Sequence, residues 1–261
     1  MTKPRVLVLR APGTNCDQET EYAFEQAGGL PDLVHVNRWS ERPDFADQYQ
    51  IMCIPGGFSF GDDIAAGQIL ANLIRRRLKE AFMKFREDGK LILGICNGFQ
   101  VLLKSGILLS DPNGQAAPAS LAWNASGRFE DRWVHLATHG DRSVFLQGVQ
   151  SMYLPIAHAE GRFVVRRNEI ATNLANDGLL ALRYASTNGL DNEAKLPFPW
   201  NPNGSELNVA GVCDISGRIL GLMPHPERYI DRTQHPRWTR EELPEQGDGL
   251  LLFQNAVRFF D

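Results

Sequence analysis

Residues 90–102 read KLILGICNGFQVL, and the fold turns on how this stretch is divided. Lys90 to Ile95 carry the continuous apolar run of a strand buried on both faces, and the pattern becomes helical just past Cys96. Gly94 and Gly98 frame the cysteine as G-x-C-x-G. A strand that passes straight into a helix needs a sharp turn with little side-chain bulk. That requirement accounts for both glycines and matches the strand–turn–helix elbow of nucleophilic hydrolases. In a parallel α/β sheet, ligands bind beyond the carboxyl ends of the strands, where this turn presents a sulfur. A helix N-terminus favours a thiolate and leaves unpaired N–H groups, that of Asn97 among them.

Outward from this segment, strands and helices alternate. RVLVLR (5–10), DLVHVN (32–37), YQIMCIPGG (49–57) and KLILGI (90–95) predict four strands. Between them, DQETEYAFEQAG (17–28) predicts a helix, as does 64–87, where Leu70, Leu73, Ile74, Leu78, Phe82 and Phe85 share one side. Such alternation means βαβ units and a mostly parallel central sheet covered on both faces, an α/β fold. The second half is less regular. It reads as a loop at 110–120, short strand-like pieces to about Val165, a helix at 167–176 and strands near 179–184, 208–214 and 218–223. GLLLFQNAVRFF (249–260) closes the chain as an amphipathic helix. The Asn- and Pro-rich stretch 186–206 and the polar stretch 231–248 read as surface excursions from a single domain spanning 1–261.

The 261 residues are 43% hydrophobic and 22% charged, with net charge −4, which gives no electrostatic reason to expect a nucleic acid or an acidic membrane as partner. Arg75–Arg77 form the one basic cluster and fall on a helical pattern, as a solvated face. Cys16, Cys53, Cys96 and Cys213 are far apart with no C-x-x-C pair, against a structural zinc site or a disulfide framework. No apolar run approaches the ~20 residues of a membrane span, so a cytoplasmic protein with reduced thiols is expected.

A thiol nucleophile needs a nearby histidine, itself oriented by a carboxylate or amide. GLMPHPERY (221–229) offers His225 and Glu227. Pro226 pushes His225 into extended geometry, in which residues two apart project to one side. The run follows the apolar strand RILGLM and so leaves the sheet at a carboxyl end, the same rim as Cys96. PIAHAEGRF (155–163) holds a second His-x-Glu, His158 and Glu160, and spacing alone does not separate the two pairs. Proline bracketing and strand context favour His225. Cys16, in PGTNCDQE (12–19), also follows a strand and starts a helix, but lacks the glycine frame. In IPGGFSFGDD (54–63), Gly56 and Gly57 turn N–H groups outward at a strand end. No G-x-x-x-x-G-K-[ST] pattern is present, and donors from Gly57 and Asn97 suit an acyl-transfer oxyanion, each such donor being worth ~2.7–4 kcal/mol.

Five ordered segments, APGTNCDQE, IPGGFSFGDD, LGICNGFQ, AHAEGRF and GLMPHPERY, resemble the glutaminase subunits of phosphoribosylformylglycinamidine synthases, triad-type glutamine amidotransferases of de novo purine synthesis. The resemblance implies the class I glutamine amidotransferase fold, a flavodoxin-like three-layer sandwich around the sheet. It implies Cys96 as nucleophile, His225 as base and Glu227 as its orienting partner. It further implies Gly57 and Asn97 as oxyanion donors, Gln100 as a glutamine contact, and Ala159 and Glu160 as lining residues. It assigns nothing to Arg228. No cofactor is implied in this chain; ATP and Mg belong to a partner synthetase subunit, joined by a small accessory subunit, and L-glutamine is the substrate. Stretches 186–206 and 231–248 depart from the pattern. A peptidase or γ-glutamyl hydrolase on the same fold, and a non-catalytic assembly subunit, are the alternatives.

Overall fold

The computed structural model describes residues 2–110, 117–139, 142–187 and 195–261. In the first half, β1 (Arg5–Arg10), α1 (Asp17–Gln26), β2 (Leu30–His35), α2 (Val36–Glu41), β3 (Ile51–Ile54), α3 (Gln68–Leu73), α4 (Lys79–Glu87), β4 (Leu91–Ile95) and α5 (Asn97–Ser105) follow one another. Then come β5 (Ala119–Ala122), β6 (Glu130–Thr138), β7 (Ser151–His158), β8 (Arg162–Val165), α6 (Asn168–Asn176), β9 (Leu182–Ala185), β10 (Val209–Cys213), β11 (Ile219–Leu222) and α7 (Leu250–Arg258).

β2, β1, β3, β4 and β11 lie side by side in that order, all parallel, the flavodoxin-like arrangement. Every residue of β3, β4 and β11 is buried, as strands covered on both faces must be. β10, β9, β6 and β7 extend the sheet by antiparallel pairing. Reversals come in pairs, so only β10 and β6 run against the common direction and the nine-stranded sheet stays mostly parallel. The crossover β1–α1–β2 moves toward one edge and β3–α3–α4–β4 toward the other; with one handedness, their helices cover opposite faces. α7 joins α1, with Phe24 and Phe253 edge-to-face at 4.9 Å, while α5 packs on α3, giving three layers.

α5 crosses the strands closely enough to demand both framing glycines. A Cβ on Gly98 would stand 1.9 Å from the Ile54 carbonyl oxygen, and one on Gly94 2.5 Å from Leu102 Cδ1.

Several expectations shift. The second strand is Leu30–His35 rather than 32–37, because its pairing ends level with β1 at Arg10↔His35 and Val36 already belongs to α2. The long helix starts at Gln68, after Gly67 at φ +71°, and a π turn at Ile74–Leu78 joins α3 to α4. Ala119 and Ser120, expected as the end of a loop, already belong to β5 and pair with β8; residues 111–116 of that loop lie outside the described residues. Of the excursion at 186–206, residues 188–194 also lie outside them. Its remainder is not a surface feature throughout: Asn201, Asn203 and Ser205 are buried, and Asn203 Nδ2 donates to the Gly161 carbonyl at 2.8 Å and to Tyr184 Oη at 3.0 Å. Asparagines there satisfy buried backbone instead of meeting water. Stretch 231–248 is largely exposed and is anchored by buried His235, edge-on to Trp133 at 5.2 Å. No helix among the described residues is long and apolar enough to cross a membrane.

Candidate active site

The strand order reverses between β1 and β3, and the loops leaving their carboxyl ends clasp each other there. Phe58 N–H donates to Gly13 O at 2.9 Å and Phe60 N–H to Pro12 O at 2.6 Å, with Thr14 bridged to Gly57. A Cβ on Gly13 would lie 2.0 Å from the Phe58 carbonyl oxygen, so this contact admits only glycine. The segment APGTNC thus holds the glycine loop in place.

Cys96 takes φ +51°, ψ −104°, a strained conformation for a residue with a side chain and the mark of the elbow turn. Its N–H donates to the Leu222 carbonyl at 2.8 Å, tying the end of β4 to the end of β11, from which His225 follows within three residues. His225 is fixed by its own N–H to Pro155 O at 2.9 Å and by Nδ1 to Glu227 Oε1 at 2.6 Å. Both side chains are buried, and Nε2 of His225 has no hydrogen-bond partner among the described residues. Burial opposes the imidazolium, but the Glu227 carboxylate and the neighbouring Cys96 and Cys16 sulfurs outweigh it, raising the proton affinity of His225 well above the ordinary value.

Cys16 also reaches this rim. Its sulfur accepts from Arg228 Nη2 at 3.1 Å and its S–H donates to Asn15 Oδ1 at 3.3 Å. Burial pushes the Cys16 thiol up to about 11, against the pull of His225, so it is protonated at neutral pH. Gly56 sits among all three groups: a Cβ there would be 2.8 Å from His225 Cε1, 3.0 Å from Cys16 Sγ and 3.4 Å from Cys96 Cβ. Donor atoms of Cys16, Glu19, His225 and Glu227 lie within 4.8 Å of one another, a mixed thiol, imidazole and carboxylate set. The Arg228 guanidinium already supplies a positive charge there, bonded through Nε to Glu19 at 2.7 Å.

Beside Cys96 opens a cavity of about 210 Å3 lined by Gly57, Gln100, Ala159, Glu160, Phe58 and Asp62. A second, of about 240 Å3, lies on the His225 side, toward Asn15, Phe129, Asp131 and Arg228. Among the described residues, no hydrogen bond engages the N–H groups of Gly57 (φ +134°) and Asn97, and Gly57 lines the cavity beside Cys96. Gln100 lines the first cavity, but its amide is engaged at both ends. Nε2 donates to Glu160 O at 2.6 Å and Oε1 accepts from Asn97 Nδ2 at 2.9 Å, so it braces the wall.

The second His-x-Glu pair does not form. His158 Nδ1 meets Asn124 Oδ1 at 3.1 Å, an oxygen that also accepts from Gly161 N–H at 3.1 Å, so Nδ1 carries the proton. Burial pushes His158 down to about 3, leaving it neutral. Glu160 turns the other way, accepting from Ala66 N–H at 3.3 Å, with Lys104 Nζ at 3.8 Å. Sequence reasoning overlooked Asp62, which lines the cavity, and the role of Gly56. The signal for Asp62 was present in GFSFGDD, an acidic residue in a glycine loop, but nothing local says which carboxylate faces inward.

A flavodoxin-ordered sheet with a cysteine on a strained turn after β4, and a His–Glu pair beyond β11, has the fold of the class I glutamine amidotransferases. The chain belongs to the CobB/CobQ-like glutamine amidotransferase domain family, whose model matches residues 3–260. It is 46% identical over 260 residues to the phosphoribosylformylglycinamidine synthase subunit PurQ of Dehalococcoides mccartyi, covering 99% of this chain and 98% of that one. Subunit PurQ of Methanococcus maripaludis strain C5 is 39% identical over 270 residues, with 99% of each chain covered. Among solved structures, a chain of PurLQS from Thermotoga maritima matches with a TM-score of 0.74 at 31% identity, covering 100% of both. A putative GMP synthase subunit from Thermoplasma acidophilum shares the fold, with a TM-score of 0.59 at 14% identity over 99% of this chain and 94% of that one.

Proposed function

We propose that this chain hydrolyses L-glutamine to glutamate and ammonia as the glutaminase subunit of a phosphoribosylformylglycinamidine synthase. The Cys96 sulfur, its proton passed to Nε2 of His225, attacks the side-chain carboxamide carbon. The tetrahedral oxyanion that forms takes hydrogen bonds from the N–H groups of Gly57 and Asn97. His225 returns the proton to the departing ammonia, leaving a glutamyl thioester on Cys96. A water molecule deprotonated by the same imidazole then hydrolyses the thioester and frees the thiol. Glu227 holds the Nδ1–H tautomer throughout, and Ala159 and Glu160 belong to the wall against which glutamine lies.

The observation that carries this reading is the buried His225–Glu227 bond of 2.6 Å, with Nε2 left unpartnered at the rim that bears Cys96. The ammonia goes to an ATP-dependent synthetase subunit that converts formylglycinamide ribonucleotide to formylglycinamidine ribonucleotide in the cytoplasm. ATP and Mg are held by that subunit, and a small accessory subunit completes the complex. The names of the PurQ relatives and the PurLQS assembly of the Thermotoga neighbour support this part.

Replacing Cys96 by Ala in the assembled complex tests the reading. Glutamine-dependent product formation is expected to vanish while synthesis from ammonium salts persists. Retained use of glutamine would overturn it. Labelling of Cys96 by a glutamine-derived chloroketone separates a glutaminase from a peptidase of the same fold.

A further inference from the structure

The two carboxylates lining the cavity beside Cys96 are not equivalent. Glu160 is engaged by Ala66 N–H and faces Lys104, whose Nζ also donates to Ala66 O at 2.6 Å. Asp62 makes no ion pair among the described residues. Its Oδ1 accepts from Gly67 N–H at 3.1 Å and from Asn97 Nδ2 at 3.2 Å, which fixes the carboxylate plane and leaves Oδ2 without a partner among them.

The backbone holds Asp62 there against its own preference. Phe60, Gly61 and Asp62 stand consecutively at φ +55°, +71° and +52°, a region that side-chain-bearing residues avoid. The clasp from Pro12 and Gly13 and the Asn97 side chain, whose Oδ1 accepts from Ser59 N–H at 3.2 Å, keep the loop in this shape. Burial raises the proton affinity of Asp62, and nearby Glu160 adds to this against the Gly67 and Asn97 hydrogen bonds and the attraction of Lys104. Lys104 stands 3.8 Å from Glu160 and reaches Asp62 only through a longer-range attraction, so Asp62 has no direct cationic partner among the described residues.

A glutamine whose amide lies at Cys96 extends its other end along this wall, and that end carries an α-ammonium group. We propose that Asp62 Oδ2 binds the α-ammonium of the substrate, selecting an α-amino acid over a simple amide. This deepens the glutaminase reading and rests on it. The Asn97 side chain would then link the two ends of the substrate, since its Nδ2 holds Asp62 while its backbone N–H is the oxyanion donor of the proposed mechanism.

The test compares Asp62→Asn and Glu160→Gln in the assembled complex with two substrates: L-glutamine, and glutaramate, which keeps the amide and carboxylate but has no ammonium. Asp62→Asn is expected to lower kcat/KM for glutamine by about thirtyfold, through KM, as for a lost charge-assisted hydrogen bond, and to leave glutaramate within about threefold. A readout without turnover accompanies it. Asp62→Asn should slow inactivation of Cys96 by a glutamine-derived chloroketone and leave inactivation by iodoacetamide unchanged. Equal losses on both substrates or both reagents, the result of a merely structural role for the 62–67 loop, would overturn the proposal. So would a substrate-selective loss in Glu160→Gln and not in Asp62→Asn. Failure of the wild-type complex to hydrolyse glutamine is a distinct result: it removes the glutaminase reading and this proposal with it.

Discussion

Arg228 lies against Cys16, its Nη2 3.1 Å from the sulfur, while its Nε donates to Glu19 on α1 at 2.7 Å. The residue next to Glu227 thereby pins the His225-bearing turn to the start of a helix 209 positions earlier in the chain. Removing the tether frees the imidazole to shift, and misplacement of a catalytic group by about 1 Å costs up to ~100-fold in rate. Arg228→Gln is expected to lower kcat about tenfold or more with KM little changed, checked by steady-state glutaminase assays of the complex.

Cys16 itself is a protonated thiol at neutral pH, with its affinity at about 11. Cys16→Ala should therefore retain glutaminase activity to within about tenfold, a loss from packing alone and far short of the ~10⁶ typical of a removed nucleophile. Peptide mapping after iodoacetamide treatment should find the label on Cys96 in both proteins.

Glu227→Gln removes the carboxylate that outweighs burial at His225. A fall in kcat of roughly 10²–10⁴ is expected, since the amide cannot hold the required tautomer. The sign of the pH effect on stability follows from the raised folded-state affinity of His225. Its contribution is fully present below the unfolded value of about 6.5 and fades as pH rises toward the folded value. The stability gap between wild type and variant should be widest below that pH and narrow above it, as denaturant unfolding at several pH values would show.

His158 has the opposite sign. Its folded value of about 3 lies below the unfolded one, so its contribution is present above about pH 6.5 and is lost on acidification toward 3. The loss runs at about 1.4 kcal/mol per pH unit. Between pH 6.5 and 5, wild type should lose ~2 kcal/mol more than His158→Gln in urea titrations.

Gly98→Ala places a carbon 1.9 Å from the Ile54 carbonyl oxygen, which is backbone and cannot swing aside. A loss of about 1–3 kcal/mol or more and a Tm lower by roughly 3 °C or more are expected by calorimetry.

The parallel block was legible because fully buried strands leave continuous apolar runs, as in VLVL, IMCI and LILGI. The elbow was legible because glycines two residues to either side of a cysteine let a strand and a helix pass closely at a sharp turn. His225 and Glu227 were readable as a pair from proline bracketing and two-residue spacing. Less could be read where tertiary contacts override local preference. Val36 enters a helix because its strand runs out of partner, and Asn201, Asn203 and Ser205 sink into the interior because they meet buried backbone groups no local pattern reveals.

The chain by itself therefore determined the strands of the parallel block, the sharp turn at residue 96 and the preference for His225 with Glu227, all being consequences of residues adjacent or a few positions apart. Only the tertiary structure decided that His158 turns to Asn124 and not to Glu160, that Cys16 and Arg228 join the rim, and that Asp62 faces the cavity. Those outcomes depend on groups brought together across many intervening residues, where burial and charge balance select a partner.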